Sequence, residues 1–385
     1  MSMIETLLQT HPIRKSKAQK KAFRDWFQLQ AEQMGYTSQI HTKGSSNNIV
    51  IGDPETAKVT YTAHYDTPAV MPIPNFITPK NILIYILYQL LLVVIFFAVA
   101  FCVGALTGWL TKEPGLAGLL AFISVYALIF LMMIGPANRN CANDNTSGVA
   151  AVMEIMARLP EAERGKVAFI LFDNEEKGLL GSSAYASTHK NFKNNGLLIN
   201  LDCVGDGEHM FFFANKKTRA LPQYAQLCET MEAQEGRIAH MEAMEKAVYP
   251  SDQAHFKYGI AVCACNKMKV IGYYVDKIHT RKDTVCEQVN LDFLADGLVA
   301  FAGKLNQETE SCSGETPAKA ADPAARRKKW LSALLGLVMA VVGMALLMVY
   351  IKEKGDAPLI LLMAGAALFG IGFVNFIIKP FLKEE

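Results

Sequence analysis

This sequence of 385 residues predicts an α/β domain, a sheet flanked by helices, that also carries four transmembrane helices in two hairpins. Three observations point there. Short apolar runs end one after another in a histidine or an acid: 58–63 before His64, 167–172 before Glu175 and Glu176, and 197–201 before Asp202. Apolar runs of that length, bounded by turn signals, fit buried parallel strands, and open α/β sheets place their sites beyond the carboxyl ends of such strands. Amphipathic segments with helical spacing lie between and after the runs. Four longer stretches, 82–106, 116–134, 330–351 and 357–378, come in two pairs and carry the composition to 51% hydrophobic. Each reaches the roughly 20 apolar residues that a helix needs to cross a bilayer core.

Taken in chain order, 16–34 reads as an amphipathic helix with Phe23, Trp26, Phe27 and Met34 inward, stopped by Gly35. The stretch 14–24 around its start, with Lys15, Lys17, Lys20 and Lys21, suits the polar face of a helix, with anionic lipid as a second reading. Segments 47–52 and 58–63 read as strands. The first apolar pair then interrupts the domain, with Lys112-Glu113-Pro114-Gly115 as its turn. A helix follows over 147–159, then the strands at 167–172 and 197–201, a strand-like run in which Cys263 and Cys265 share one face, a strand at 270–275 and a last helix over 291–305. Residues 306–325, rich in Glu, Ser, Ala, Pro and Lys, read as flexible. The expected organisation is a catalytic domain in two parts, 1–80 and 136–305, split by a hairpin at 81–135 and followed by a linker at 306–329 and a second hairpin at 330–379. Small residues recur every four positions at Ser332, Gly336 and Ala340, and at Ala366 and Gly370, a spacing that lets membrane helices approach closely.

Several function classes fall away. A net charge of +2, without basic residues interleaved with aromatics, gives no footprint for nucleic acid. There is no His-Glu-x-x-His, no Gly-rich nucleotide loop and no Gly-x-Ser-x-Gly. Eight cysteines without a Cys-x-x-Cys pair suit buried thiols in a reducing compartment.

What remains is metal chemistry. His64-Tyr65-Asp66, Asp144-Asn145-Thr146-Ser147-Gly148, Glu175-Glu176-Lys177-Gly178-Leu179-Leu180-Gly181-Ser182, Asn200-Leu201-Asp202 and His279-Thr280-Arg281-Lys282-Asp283-Thr284 follow in order. Two histidines and three carboxylates can hold two zinc ions, leaving a fourth carboxylate as base. In such pairs, about 3.5–4 Å apart, one carboxylate bridges and the shared water ionises near neutral pH. Glu175 and Glu176 also fit a solvated helix start, where acids are favoured. Asp283 fits either a hydrogen bond near His279 or a turn cap. His11, His41, His189, His209 and His240 sit in no motif.

These five segments, with Ser251-Asp252-Gln253-Ala254-His255-Phe256, resemble the co-catalytic di-zinc aminopeptidases, a family that includes glutamate carboxypeptidase-like enzymes; the likeness covers roughly 20–80 and 138–305. It implies a mixed sheet flanked by helices and two Zn²⁺. His64 and Asp202 would bind one ion, Glu176 and His279 the other, and Asp144 both. Glu175 would be the general base and Asp66 would orient His64. The peptide bond after Asp144 is often cis in the family. Where several relatives place an oxyanion-stabilising tyrosine, this chain has Ile278, so that Tyr249, Tyr258 or the zinc alone would take that role.

The expected protein is therefore a membrane-anchored di-zinc aminopeptidase, with peptide as substrate, the lipid bilayer as partner and no nucleic acid. Hydrolysis of another amide, or a catalytically silent receptor or scaffold on the same fold, are the rival readings. Side-chain preference and oligomeric state are not encoded in any motif. Lys80, Arg139, Arg326, Arg327, Lys328, Lys329, Lys379 and Lys383 flank the spans on the catalytic side, against Lys112, Lys352 and Lys354 on the other. That bias, with no signal peptide ahead of the domain, predicts a multi-pass protein whose catalytic domain faces the cytoplasm.

Overall fold

Two capping boxes open the chain. Ser2 and Ser16 each accept from the backbone three residues on, and Glu5 and Gln19 return the bond, starting α1 (Met3–Thr10) and α2 (Lys17–Gln33). Gly35, at φ 82°, stops α2 as expected. The computed structural model describes residues 2–305; the expected linker at 306–329 and second hairpin at 330–379, with Ser332, Gly336, Ala340, Ala366 and Gly370, lie outside the described residues.

The strands are β1 (Ser38–Lys43), β2 (Ser46–Ile51), β3 (Val59–His64), β4 (Val167–Phe172), β5 (Leu197–Leu201), β6 (His209–Ala214), β7 (Ile238–Ala243), β8 (Tyr258–Met268) and β9 (Gly272–Tyr274). They form one mixed sheet in the order β1-β2-β4-β3-β5-β8-β6-β7, with β9 paired to β8. Its centre, β4-β3-β5-β8, is parallel. Every residue of β3, β4 and β5 is buried, which is why those strands read as unbroken apolar runs. Alternation still sorts their faces. Phe169 and Leu171 join Tyr61, Ile199 and Leu201 in a core with Val149, Val152, Leu294 and Leu298. Ile170 and Phe172 join Tyr185, Phe192 and Phe256 on the other side.

The remaining helices are α3 (Ile82–Thr111), α4 (Pro114–Ile134), α5 (Gly148–Arg158), α6 (Leu180–Thr188), α7 (Lys190–Asn195), α8 (Lys216–Arg219), α9 (Pro222–Glu232) and α10 (Gln288–Lys304). Two compact units divide the described residues: 2–92 with 129–305, which holds the sheet, and 93–128. Helices α3 and α4 are long and apolar enough to cross a membrane. Only Ala100 of α3 and no residue of α4 is buried, so they are not core helices. Both run further than the apolar stretches suggest: α3 continues to Thr111, and α4 starts at Pro114, which is tolerated at a helix start. Within 93–128, a Cβ on Gly104 would stand 3.2 Å from Ala121 Cβ, and one on Gly108 would stand 3.6 Å from Ala117 Cβ. Small residues spaced by four thus do meet in the first hairpin, on positions the sequence reading passed over.

The strand expected at 270–275 shortens to β9, with Val275 in an isolated bridge to Ile77. Strands β1, β6 and β7 were not foreseen. Cys263 and Cys265 do share a face of β8, their sulfurs 3.9 Å apart.

Candidate metal centre

Three adjacent parallel strands, β4, β3 and β5, deliver the site. His64 is the last residue of β3. Glu175 and Glu176 follow β4 after a turn in which Asn174 takes φ 56°. Asp202 directly follows β5, and Cys203 behind it has φ 56°. His279 itself has φ 62°. Non-glycine residues at positive φ are uncommon and concentrate where a side chain must be aimed. Here all but Lys112, among the described residues, lie within three positions of a candidate ligand. The Glu-Glu motif's glycines have separate reasons. Gly178 takes φ 89°, and a Cβ on Gly181 would lie 2.0 Å from the Asp173 carbonyl.

The side chains converge as two overlapping sets. His64 Nε2 stands 3.3 Å from Asp144 Oδ1 and 3.6 Å from Asp202 Oδ1. His279 Nε2 stands 3.1 Å from Asp144 Oδ2 and 3.5 Å from Glu176 Oε2. Each oxygen of Asp144 therefore faces a different imidazole. Three further groupings have ligand atoms within 4.8 Å of one another: His64, Asp144 and Glu176; His64, Glu175 and Asp202; Asp144, Asp202 and Cys203. All six residues expected at the centre are thus together, and Cys203 is added.

The donor set fits cations. No Lys or Arg ion-pairs with Asp144, Glu175, Glu176 or Asp202 among the described residues. Glu176 Oε1 is buried without a hydrogen-bond partner. Burial foremost, with neighbouring acids adding, pushes Glu175 and Glu176 well above the usual carboxylate range. Burial alone would lower His64, but Glu175 and bonds to Asp144, Asp202 and Asp66 push it well above its usual value. Buried carboxylates in this number hold their charge only against a cation.

A second layer fixes these groups. Asp66 does more than expected. Its backbone oxygen lies 3.2 Å from His64 Nδ1, its Oδ1 lies 3.6 Å away, and its two carboxylate oxygens accept from the amides of Glu175 (3.0 Å) and Glu176 (3.3 Å). Asp283 accepts from the amides of Asn143 (2.7 Å) and Asp144 (3.0 Å), so it serves the Asp144 loop rather than only capping its own turn. The Asp144–Asn145 peptide is cis, as the resemblance implied. Asn145 accepts from Gly148 N and Cys203 N and donates to Leu201 O, joining that loop to β5. Buried Arg14, from before α2, donates to Tyr65 O and Thr146 Oγ1, and so ties the His64 and Asp144 segments across the hairpin between them. Neither tyrosine candidate is free for an oxyanion. Tyr249 donates to Asp202 O, and Tyr258 begins β8 opposite Leu197, at the far end of β5 from Asp202. Ile278 is buried among Tyr249, Val275 and Ile77. His255 meets Ser182 Oγ at 3.0 Å and is not among the ligands.

Sequence reasoning missed three residues. Cys203 Sγ donates to Asp202 Oδ1 at 3.2 Å. Arg14 has no motif around it. Asp252, which lay inside a quoted segment, is fully buried and is pushed up to about 7, by burial first and then by nearby acids.

Asp283 offers a test of this support. Asn in its place keeps one acceptor and turns an NH₂ toward the second amide. Asp283→Asn is expected to weaken metal binding by roughly 10–100-fold with the fold retained. Metal titration beside circular dichroism checks it, and unchanged affinity removes Asp283 from the positioning of Asp144.

Comparison with known proteins bears out the resemblance. Residues 125–298 match Peptidase family M28, a span that begins within α4 and omits His64 and Asp66, which the first hairpin separates from the other ligands. No curated protein matches significantly. Among solved structures, Porphyromonas gingivalis glutaminyl cyclase is 16% identical, covers 79% of this chain and 97% of its own, and superposes with a TM-score of 0.52. The Legionella pneumophila LapA aminopeptidase, also 16% identical, gives 0.49 over 79% of this chain and 71% of its own. A Zn-dependent exopeptidase from Parabacteroides distasonis, 16% identical, gives 0.47 over 78% and 96%. At such identity the first shares a fold with this chain.

Proposed function

We propose that this chain, whose residues 125–298 match Peptidase family M28, is a membrane-anchored metallopeptidase that holds two zinc ions and removes N-terminal residues from peptides. One observation carries this reading: His64 and His279 face opposite oxygens of one buried carboxylate, Asp144. His64 and Asp202 would complete one subsite, and His279 and Glu176 the other. Zinc bound there would polarise the scissile carbonyl, steady the oxyanion and make a water acidic near neutral pH. Mixed nitrogen and oxygen donors suit other metals too; the resemblance selects zinc.

The chain's own groups do the rest. Glu175 takes a proton from the attacking water at its carboxylate and hands it to the leaving amine. Burial, with Glu176 and Asp202 adding, raises its pKa above the usual carboxylate range, the direction that makes a carboxylate a stronger base. Asp66, through the amides of Glu175 and Glu176, keeps base and ligand at fixed separation. A glutaminyl cyclase neighbour raises a second reading, ring closure of an N-terminal glutamine. Two subsites sharing a carboxylate favour hydrolysis, because paired metals activate water. A peptide library, with and without chelator, tests both. Release of single residues supports the aminopeptidase. Loss of ammonia from Gln-initiated peptides supports the cyclase. Metal binding without turnover supports a scaffold.

In this reading α3 and α4 cross the bilayer and the catalytic unit faces the cytoplasm, on the Lys and Arg bias around the spans. Lys112→Cys, in a background without reactive native thiols, is expected to label with an impermeant reagent in intact cells. Lys217→Cys is expected to label only after lysis. The reverse pattern places the catalytic unit outside.

A further inference from the structure

The β8–β9 hairpin turns through Lys269, Val270 and Ile271. Val270 is 85% exposed, the most of any large apolar side chain among the described residues, and Met268 is 47% exposed. Lys267 and Lys269 are exposed beside them. A single exposed valine needs no explanation. What sets this tip apart is its neighbour. Asn81 Nδ2 donates to Ile271 O at 3.2 Å, and Asn81 Oδ1 accepts from Ile84 N at 3.2 Å. One side chain therefore grips the hairpin tip and caps the first turn of the apolar helix α3.

Aromatic residues gather at the same place. Phe76 lies 5.4 Å from Tyr88 and 5.8 Å from Tyr274, ring to ring. Tyr88 donates to Pro74 O, and Tyr85 packs on the cluster that holds Ile77, Val275 and Ile278. Tyrosines and lysines at the end of an apolar helix are the composition of a membrane–water interface. From there the chain reaches the metal centre quickly. Val275 and Ile77 exchange backbone bonds of 2.8 and 3.0 Å, Met71 N donates to His279 O at 2.7 Å, and His279 is five positions past Tyr274.

We propose that the β8–β9 hairpin seats the catalytic unit on the bilayer: Val270 and Met268 enter the acyl boundary beside the start of α3, and Lys267 and Lys269 meet lipid phosphates. The occupant is a bilayer because the tip is continuous, through Asn81, with the helix that would leave the same surface, and because basic residues flanking an apolar tip complement an anionic leaflet. Resting on the peptidase reading, this narrows the substrate class to polypeptides whose N-terminus emerges within a short reach of the membrane.

The full chain in lipid bilayers decides it. A photoreactive benzoylphenylalanine is placed at Val270, and separately at Lys193, whose carbonyl accepts from Lys257 N at the opposite end of β8, about 30 Å away at the usual strand rise. Crosslinking to lipid at 270 and not at 193 is expected; no lipid at 270, or equal lipid at both, overturns the proposal. In a second arm, Lys267→Glu with Lys269→Glu and Val270→Asp is assayed on a peptide anchored to lipid through a short spacer and on the same peptide free. Turnover of the anchored peptide is expected to fall fivefold or more, since each lysine near an anionic surface counts for roughly fivefold, while the free peptide is cleaved as before. Equal loss on both, or none on either, overturns the narrowed substrate class. If no peptide is cleaved by the unaltered protein, the peptidase reading fails, and the crosslinking result still decides the hairpin.

Discussion

Glu175→Gln is expected to keep the metals and lower kcat by about 10²–10⁴-fold, the range for loss of a general base. Glutamine has the shape of glutamate but cannot accept the proton. Glu175 lies within 4.8 Å of His64 and Asp202 ligand atoms, so the substitution leaves an oxygen at the same place and tests charge rather than space. Its amide stays bonded to Asp66. Glu176→Gln should behave differently. Glu176 Oε2 faces His279 Nε2 at 3.5 Å and its Oε1 has no protein partner, so the neutral amide should cost metal as well as rate. Metal analysis beside steady-state kinetics separates the two. If both variants lose metal and rate alike, the division of base and ligand within this pair is wrong.

The division proposed between the neighbouring glutamates rests on a resemblance alone, whereas the strands behind them were legible from physics. Strands β4 and β5 fall where apolar runs placed them, because all their residues are buried and bounded by turns. Strands β1 and β7 have no buried positions and gave no such signal. The two helices of the first hairpin were legible because each arises from a long uninterrupted apolar run. Its packing through Gly104 and Gly108 was not, since glycine is common in such runs. The supporting groups were hidden for another reason. Asp66 reaches the amides of Glu175 and Glu176, Asp283 those of Asn143 and Asp144, and Arg14 the Thr146 hydroxyl, each across more than a hundred residues. No local pattern announces a partner at that separation. Arg14 and Cys203 sit beside motifs or before them, and only the fold brings them to the site.

Removal of the ligands should have the largest effect of all. His64→Ala and His279→Ala are each expected to lower zinc content from about two per chain toward one, because each imidazole would serve a different member of a two-metal pair. Asp144→Asn should weaken both ions at once, since its two oxygens face the two imidazoles at 3.3 and 3.1 Å. Chelation should abolish turnover, and zinc should restore it. Stability should follow: saturating zinc at about a hundredfold over its Kd adds roughly 2.7 kcal/mol, visible as a raised Tm in the native chain and a smaller rise in either His variant. The pH dependence has a definite sign. Burial and the neighbouring acids push Glu176 above its ordinary value, and the acids around His64 push it above its own, so a cation competes with a proton at each. Zinc affinity should therefore fall as pH drops through neutral, by about tenfold per unit for each proton displaced. Metal titrations on either side of neutrality, with turnover measured in the same samples, give content, affinity and rate together. A chain that binds no metal after zinc reconstitution, or whose turnover is indifferent to chelator, is not the metallopeptidase proposed, however well its carboxylates are arranged.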